Sequence, residues 1–175
     1  CVTCNSCVAS CPRGIGIVDL VKSIRQQTVN GGLLAAALAS PVASLKKNGN
    51  PWNGKSQDRT KWVGSLPLPV FNKDKEYCLF SCCTTAYDQQ GQRGSEKGGR
   101  ALVKLLEIGQ VSYGSLGTAE VCCGDQPEKM GAEAVNTALV EKNSQLFLDQ
   151  GVRTLLTVSP HCLNSFSKNY PQLQG

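Results

Sequence analysis

Apolar positions recur at helical spacing through the first fifty residues and change to short runs in the second half. In "GIGIVDLVKSIRQQ" (14–27), Ile17, Leu20, Val21 and Ile24 share one helical face. Pro12 stands just ahead and is read as the start of that helix. Asn30, Gly31 and Gly32 break the pattern, and "LLAAALASPVASLKK" (33–47) predicts a second helix, kinked at Pro41. Residues 48–76 are rich in Gly, Pro and Asn and predict an irregular connection with one short helix near 56–62. Beyond it, "YCLFSC" (77–82), "VSYGSLG" (111–117) and "RTLLTV" (153–158) read as strands. They alternate with helical patterns over 98–109, 127–151 (stopped by Gly151) and 161–170. Strand and helix in alternation predict an α/β fold with a parallel sheet. The expected organisation is a helical unit over 1–50, a linker over 51–74 and an α/β unit over 75–175.

Charge and composition narrow the classes. A formal charge of +5 is a mild basic excess. Lys46, Lys47, Lys55, Arg59 and Lys61, near Trp52 and Trp62, are spread along a loop and read as solvated surface, not as a nucleic-acid site. The two tryptophans read as packing residues. The longest apolar stretch (31–45) is too short to span a bilayer and contains Pro41. "SEKGGR" (95–100) lacks the spacing of a phosphate-binding loop.

Ten cysteines change the picture. A secreted disulfide scaffold would be shorter and denser in cysteine, and adjacent cysteines are poor partners in a bridge. Tight spacing suits thiolates converging on a metal centre, and free thiolates point to a reducing, cytoplasmic setting. Cys1-x2-Cys4-x2-Cys7-x3-Cys11-Pro12 matches the bacterial ferredoxin run, in which the fourth cysteine ligates the other cluster of a pair. On that pattern Cys1, Cys4 and Cys7 bind one [4Fe–4S] cluster, and Cys11 reaches a second whose other ligands lie upstream of Cys1, in a longer protein. A single cluster held by all four is the alternative. A zinc knuckle takes separated CxxC pairs more often, so the run favours iron and sulfur.

Cys83, Cys122, Cys123 and Cys162 fall after the three predicted strands. Ligands in open α/β sheets bind outside the carboxyl ends of strands, so these four distant residues are placed to meet. Gly124 fits a sharp turn beside them. Cys78, within a strand, reads as a small buried hydrophobe. Cys82 reads the same way, with contact to a cluster left open. His161 reads as a helix-start residue that bonds backbone; the sharper alternative is a proton donor or tuner beside Cys162.

"CTTAYD" (83–88), "EVCCGDQPEKMG" (120–131) and "SPHCLNSFSKNYP" (159–171) resemble the cysteine-rich CCG domain of the B-type and D-type polypeptides of heterodisulfide reductase and of related iron–sulfur oxidoreductases. The N-terminal cysteine run and "GNPWNGKSQDRTKW" (49–62) are similar to the D-type polypeptide. They are similar, too, to the iron–sulfur subunit of the membrane complex serving dissimilatory sulfite reductase, and to iron–sulfur partners of electron-transfer flavoproteins. The resemblance implies a ferredoxin-like N-terminal cluster domain, then a CCG domain, the first of a pair whose second would lie beyond Gly175. It implies a further cluster on Cys83, Cys122, Cys123 and Cys162. Members with a noncubane cluster read CPHC at the last site. Here Ser159 stands in place of the first of those cysteines, which leaves the cluster cubane, noncubane or three-iron.

The function so implied is an electron-transfer subunit of a membrane-associated anaerobic respiratory oxidoreductase. It would pass electrons between a donor protein and a quinone or disulfide-type acceptor. Other redox subunits and a cytochrome b or quinone-reactive membrane subunit are the expected partners. The alternative is an enzyme like heterodisulfide reductase, cleaving a disulfide at the CCG cluster. A zinc-stabilised interaction module is a third possibility. An open pocket beside Cys83 and Cys123 would favour catalysis, and a buried cluster would favour relay.

Overall fold

The computed structural model describes residues 1–88 and 94–170. Pro171, the last residue of the third resembling stretch, and the rest of the predicted 75–175 unit beyond it lie outside the described residues.

A one-turn helix, α1 (Ser6–Ala9), sits inside the cysteine run, too short to leave a periodic signal. α2 (Ile17–Asn30) begins after Gly16, not at Pro12, and ends at the glycine pair. α3 (Ala36–Asn48) carries Pro41 within it and stops at Gly49. Two 3₁₀ turns, Ser56–Asp58 and Lys61–Val63, stand where one short helix is predicted.

The α/β part follows the expected order with shorter strands. β1 (Tyr77–Leu79) is central, flanked by β2 (Tyr113–Gly114) and β3 (Leu155–Leu156), all parallel. Cys78 is opposite Gly114 on one side and Leu155 on the other. The expected linker adds an edge contact, with the Ser115 N–H donating to Pro69 O (2.8 Å) and the Phe71 N–H to Ser115 O (3.0 Å). After Leu79 the chain turns through Cys82 into α4 (Cys83–Tyr87), a five-residue helix that periodicity does not reveal.

α5 (Ser95–Ile108) follows, and its Gly99 packs on Thr85 and Trp62. The predicted 127–151 helix is two helices, α6 (Asp125–Met130) and α7 (Glu133–Gln150). The break is at Gly131, whose φ is +81° and whose added Cβ would lie 2.5 Å from the Arg25 carbonyl carbon. Close approach of α2 to α6 therefore divides the helix, and only glycine has the room and the backbone freedom. α8 (Pro160–Asn169) starts with Pro160 behind the Ser159 cap, whose hydroxyl accepts from the Cys162 N–H at 3.4 Å.

Alternation along β1 divides the core into two layers. Leu79 joins Trp62, Val63, Val103, Leu106 and Tyr113. Phe80 joins Leu45, Val121, Leu139, Phe147 and Tyr170 in the other layer, where the thiols also lie. Phe166 meets Phe80 and Tyr170 edge-on, each at 4.9 Å between ring centroids.

α2 docks by an unexpected side. Its Leu20 and Ile24 are 57% and 53% exposed, while Lys22 pairs with Glu128 at 2.6 Å. Arg25 donates to Lys129 O (2.8 Å) and to Cys1 O (2.7 Å), so one side chain ties the N-terminal loop to α6. No described helix is long and apolar enough to cross a membrane.

Candidate metal centre

Cys82, Cys83, Cys122, Cys123 and Cys162 line one cavity of about 240 Å³. They arrive from the turn after β1, the first turn of α4, the segment before α6, and the first turn of α8. Each is buried, from 2% exposed at Cys122 and Cys162 to 9% at Cys82. The four expected residues meet. Cys82 lies in the apolar core, as expected, and also lines the same cavity as a fifth thiol. Cys78 is fully buried outside that cavity; burial, then Glu120, pushes its thiol up to about 12, which keeps it protonated.

The thiols govern one another. Cys123 and Cys83 hold the Cys122 thiol well below its ordinary value against the effect of burial, with help from the Gly124 N–H. Cys123 and Cys82 lower Cys162 to about 3 against burial, aided by the Ser159 hydroxyl. Sharing with Cys122, then burial, pushes Cys83 well up. Cys122 and Cys162, then burial, do the same to Cys123. Cys162 and burial raise Cys82, while the Ser159 hydroxyl lowers it. The cage thus mixes thiolates with thiols that must lose protons when a metal enters.

Among the described residues, no three His, Cys, Asp or Glu side chains converge closely enough to grip one metal ion. Five thiols line the 240 Å³ space and share hydrogen bonds with one another, a donor set that suits an iron–sulfur cluster. Thiolate sulfur is the usual ligand of an iron–sulfur cluster. Asp125 also lines the cavity, and its Oδ1 is buried without a hydrogen-bond partner. Burial raises the Asp125 carboxyl, although Lys129 and His161 oppose it.

The remaining wall is Pro41, Pro51, Trp52, Thr84, Gln126 and Met130, largely apolar. Trp52 therefore borders the site, whereas Trp62 packs in the other layer. His161 stands at the rim with its side chain 62% exposed. Its Nδ1 lies 3.0 Å from Lys129 Nζ and 3.6 Å from Asp125 Oδ2, so it meets side chains, not the backbone its bland reading expects.

Arg59 overturns its expected place on a solvated loop. It is 1% exposed, and its Nη1 donates to Cys83 Sγ at 3.6 Å. Nε donates to Glu120 Oε2 at 3.3 Å, and Nη2 donates to Ser81 O at 2.5 Å. Its guanidinium carbon lies 5.4 Å from the centroid of the Phe80 ring. Burial opposes the charge, but Cys83 and Glu120 outweigh it and keep the group protonated. Charge counting along the loop could not find this residue. Its place inside the "GNPWNGKSQDRTKW" stretch was the available signal.

Cys1, Cys4 and Cys7 are exposed and Cys11 is half-buried. The Thr3 N–H donates to Cys1 Sγ at 3.4 Å. The Ser6 hydroxyl and N–H lower the Cys4 thiol. Backbone N–H groups of Ile15, Arg13 and Gly14 lower Cys11. Amides directed at sulfur are the environment in which a ferredoxin-type loop stabilises thiolate.

Together the strand ends and the buried sulfur cage define an α/β protein of the cysteine-rich class. The cysteine-rich domain model, CCG, matches residues 77–167, and the chain belongs to that family. It is 31% identical over 183 residues to the EtfAB:quinone oxidoreductase of Syntrophomonas wolfei, covering 100% of this chain and 25% of that protein. A Bacillus subtilis protein named "Probable iron-sulfur-binding oxidoreductase FadF" is 29% identical over 181 residues, with 98% and 25% covered. The D-type polypeptide of the dihydromethanophenazine:CoB–CoM heterodisulfide reductase of Methanosarcina acetivorans is 28% identical over 180 residues, with 100% and 42% covered. The chain thus spans about a quarter of the length of the first two relatives. No solved structure matches it significantly.

Proposed function

We propose that this chain is an iron–sulfur electron-transfer module of a multisubunit oxidoreductase. The observation that carries the reading is the gathering of five buried thiols on one 240 Å³ cavity from four separate places in the chain. Cys83, Cys122, Cys123 and Cys162 are the proposed ligands there. Cys82, beside Cys162 and Ser159, supplies a fifth sulfur near the corner where Ser159 replaces cysteine. That arrangement supports either a noncubane cluster or a cubane with one spare thiol. Cys1, Cys4, Cys7 and Cys11 are the proposed ligands of one or two [4Fe–4S] clusters, within a cluster domain over 1–50. Arg25 links that loop to α6, beside the cage, which supports electron passage between the two sites.

The names of the relatives support a partner set of redox subunits, with electrons moving between a donor protein and a quinone or disulfide-type acceptor. A membrane subunit is part of this proposal. Burial of the cage thiols supports a relay role. A catalytic role in disulfide reduction has two observations in its favour: the cavity beside Cys83 and Cys123, and the exposed His161 with Lys129 at its rim, where protons could be supplied.

The test is iron and acid-labile sulfide on anaerobically prepared full-length protein, with EPR of oxidised and reduced states. Cys123→Ala should remove one cluster and its signal while leaving the N-terminal signals. Zinc without iron would refute the redox reading. A cluster that binds disulfide and turns it over would replace relay by catalysis.

A further inference from the structure

We propose that Arg59 sets the reduction potential of the cluster in the five-thiol cage, acting as a fixed buried positive charge that favours its reduced state. The inference rests on the reading that this cage holds an iron–sulfur cluster.

The geometry is specific. Within the buried pair, the guanidinium is the member that bonds a cage sulfur. Arg59 Nη1 reaches Cys83 Sγ at 3.6 Å, while Glu120 receives the Ser81 N–H on Oε2 (3.0 Å) and the Ser115 hydroxyl on Oε1 (3.1 Å). The charge therefore bears directly on one cage ligand, Cys83. A buried ion pair is weak support for a fold, because well-packed apolar residues serve as well. A neutral thiol is also a poor acceptor for a guanidinium donor. The same bond to a thiolate or cluster ligand is charge-assisted and stronger.

Reduction adds one electron to the cluster and one unit of negative charge to the cage. The guanidinium does not titrate, so its attraction grows with that charge in a low-dielectric setting. Net charge and hydrogen bonds to sulfur are recognised determinants of cluster potential. Removing Arg59 should make the cluster harder to reduce. Neutralising Glu120 leaves the Arg59 charge uncompensated and should make reduction easier. Opposite shifts from two touching residues are not expected if the pair only holds the loops together.

The experiment is a one-electron redox titration of anaerobic full-length protein followed by EPR, with dithionite as reductant. The cage signal is the one absent from Cys123→Ala. At the potential where the unchanged cage is half reduced, Arg59→Gln should raise its oxidised-to-reduced ratio at least tenfold, about 59 mV for one electron. Glu120→Gln should move the ratio the other way, and Arg59→Lys should fall between Gln and the unchanged protein. Iron per chain is measured on every variant. If Arg59→Gln fails to load, Arg59→Lys and Glu120→Gln decide by the same signs. Shifts below threefold in loaded variants, or shifts of the same sign, overturn the role of Arg59 and leave the cluster reading standing. An unchanged protein with no iron at the cage overturns that reading, and this proposal with it.

Discussion

Replacing Gly124 by alanine is expected to destabilise the protein by about 3 kcal/mol, through two separable effects. Gly124 follows the Cys122–Cys123 pair and caps α6 with φ of +98°. An alanine held in left-handed backbone costs roughly 1–2 kcal/mol. Its Cβ would also stand 2.3 Å from Asn136 Oδ1 and 3.1 Å from Val140 Cγ2, inside α7. Such overpacking costs roughly 1–3 kcal/mol. Asn136 makes the effects separable, because its Oδ1 is buried with no hydrogen-bond partner and its removal breaks no bond at that atom. The double variant Gly124→Ala/Asn136→Ala should recover the steric share and keep the backbone share. Urea unfolding followed by far-UV circular dichroism under anaerobic conditions measures both. With an m-value of about 2 kcal/mol/M, the single variant should lose about 1.5 M in midpoint. A midpoint shift under about 0.2 M for Gly124→Ala would refute the strain, and no recovery in the double variant would refute the Asn136 contact.

Three further outcomes follow from the contacts. Burial pushes Glu128 up, yet Lys22 and Asn169 hold its carboxyl below the usual range. Its contribution is therefore complete above about pH 4.3 and fades as pH falls through the lower folded-state value. The urea-midpoint difference between Lys22→Met and unchanged protein should shrink in acid, and a constant difference would contradict the pairing. Cys78→Ala should retain the iron and sulfide content of the unchanged protein, since this buried thiol lies outside the cage; loss of iron would make Cys78 a ligand. Ser159→Ala should lower stability by about 1 kcal/mol through loss of the α8 cap, with Ser159→Asp restoring most of it in thermal unfolding; an unchanged Tm would rule out the cap.

Much of the architecture is legible from patterning. The order of strands and helices after residue 77 follows from alternation, because period and length are local properties of a chain. Local rules fail where a distant segment intervenes. The 127–151 helix breaks at Gly131, a left-handed cap glycine visible in "EKMGAEAV", but the Arg25 backbone that packs against it is encoded by no local property of that stretch. The apolar stripe of α2 is present as read, but Leu20 and Ile24 stay exposed because Lys22 and Arg25 make the contacts to α6.

The candidate site divides along the same line. By itself the sequence determined the residue types: ten cysteines in spacings that suit metal thiolate, and the motif stretches around Cys83, Cys122, Cys123 and Cys162. Covalent neighbours and turn chemistry carry that information along the chain. Only the tertiary structure decided that Cys82 faces the cavity while Cys78, four residues earlier, does not. Only it could place Arg59 against Cys83 and Glu120, residues 24 and 61 positions away. A charge on a polar loop is solvated unless a sulfur and a carboxylate from elsewhere in the fold exclude water around it. Burial of that kind belongs to the packed molecule and to no stretch of its sequence.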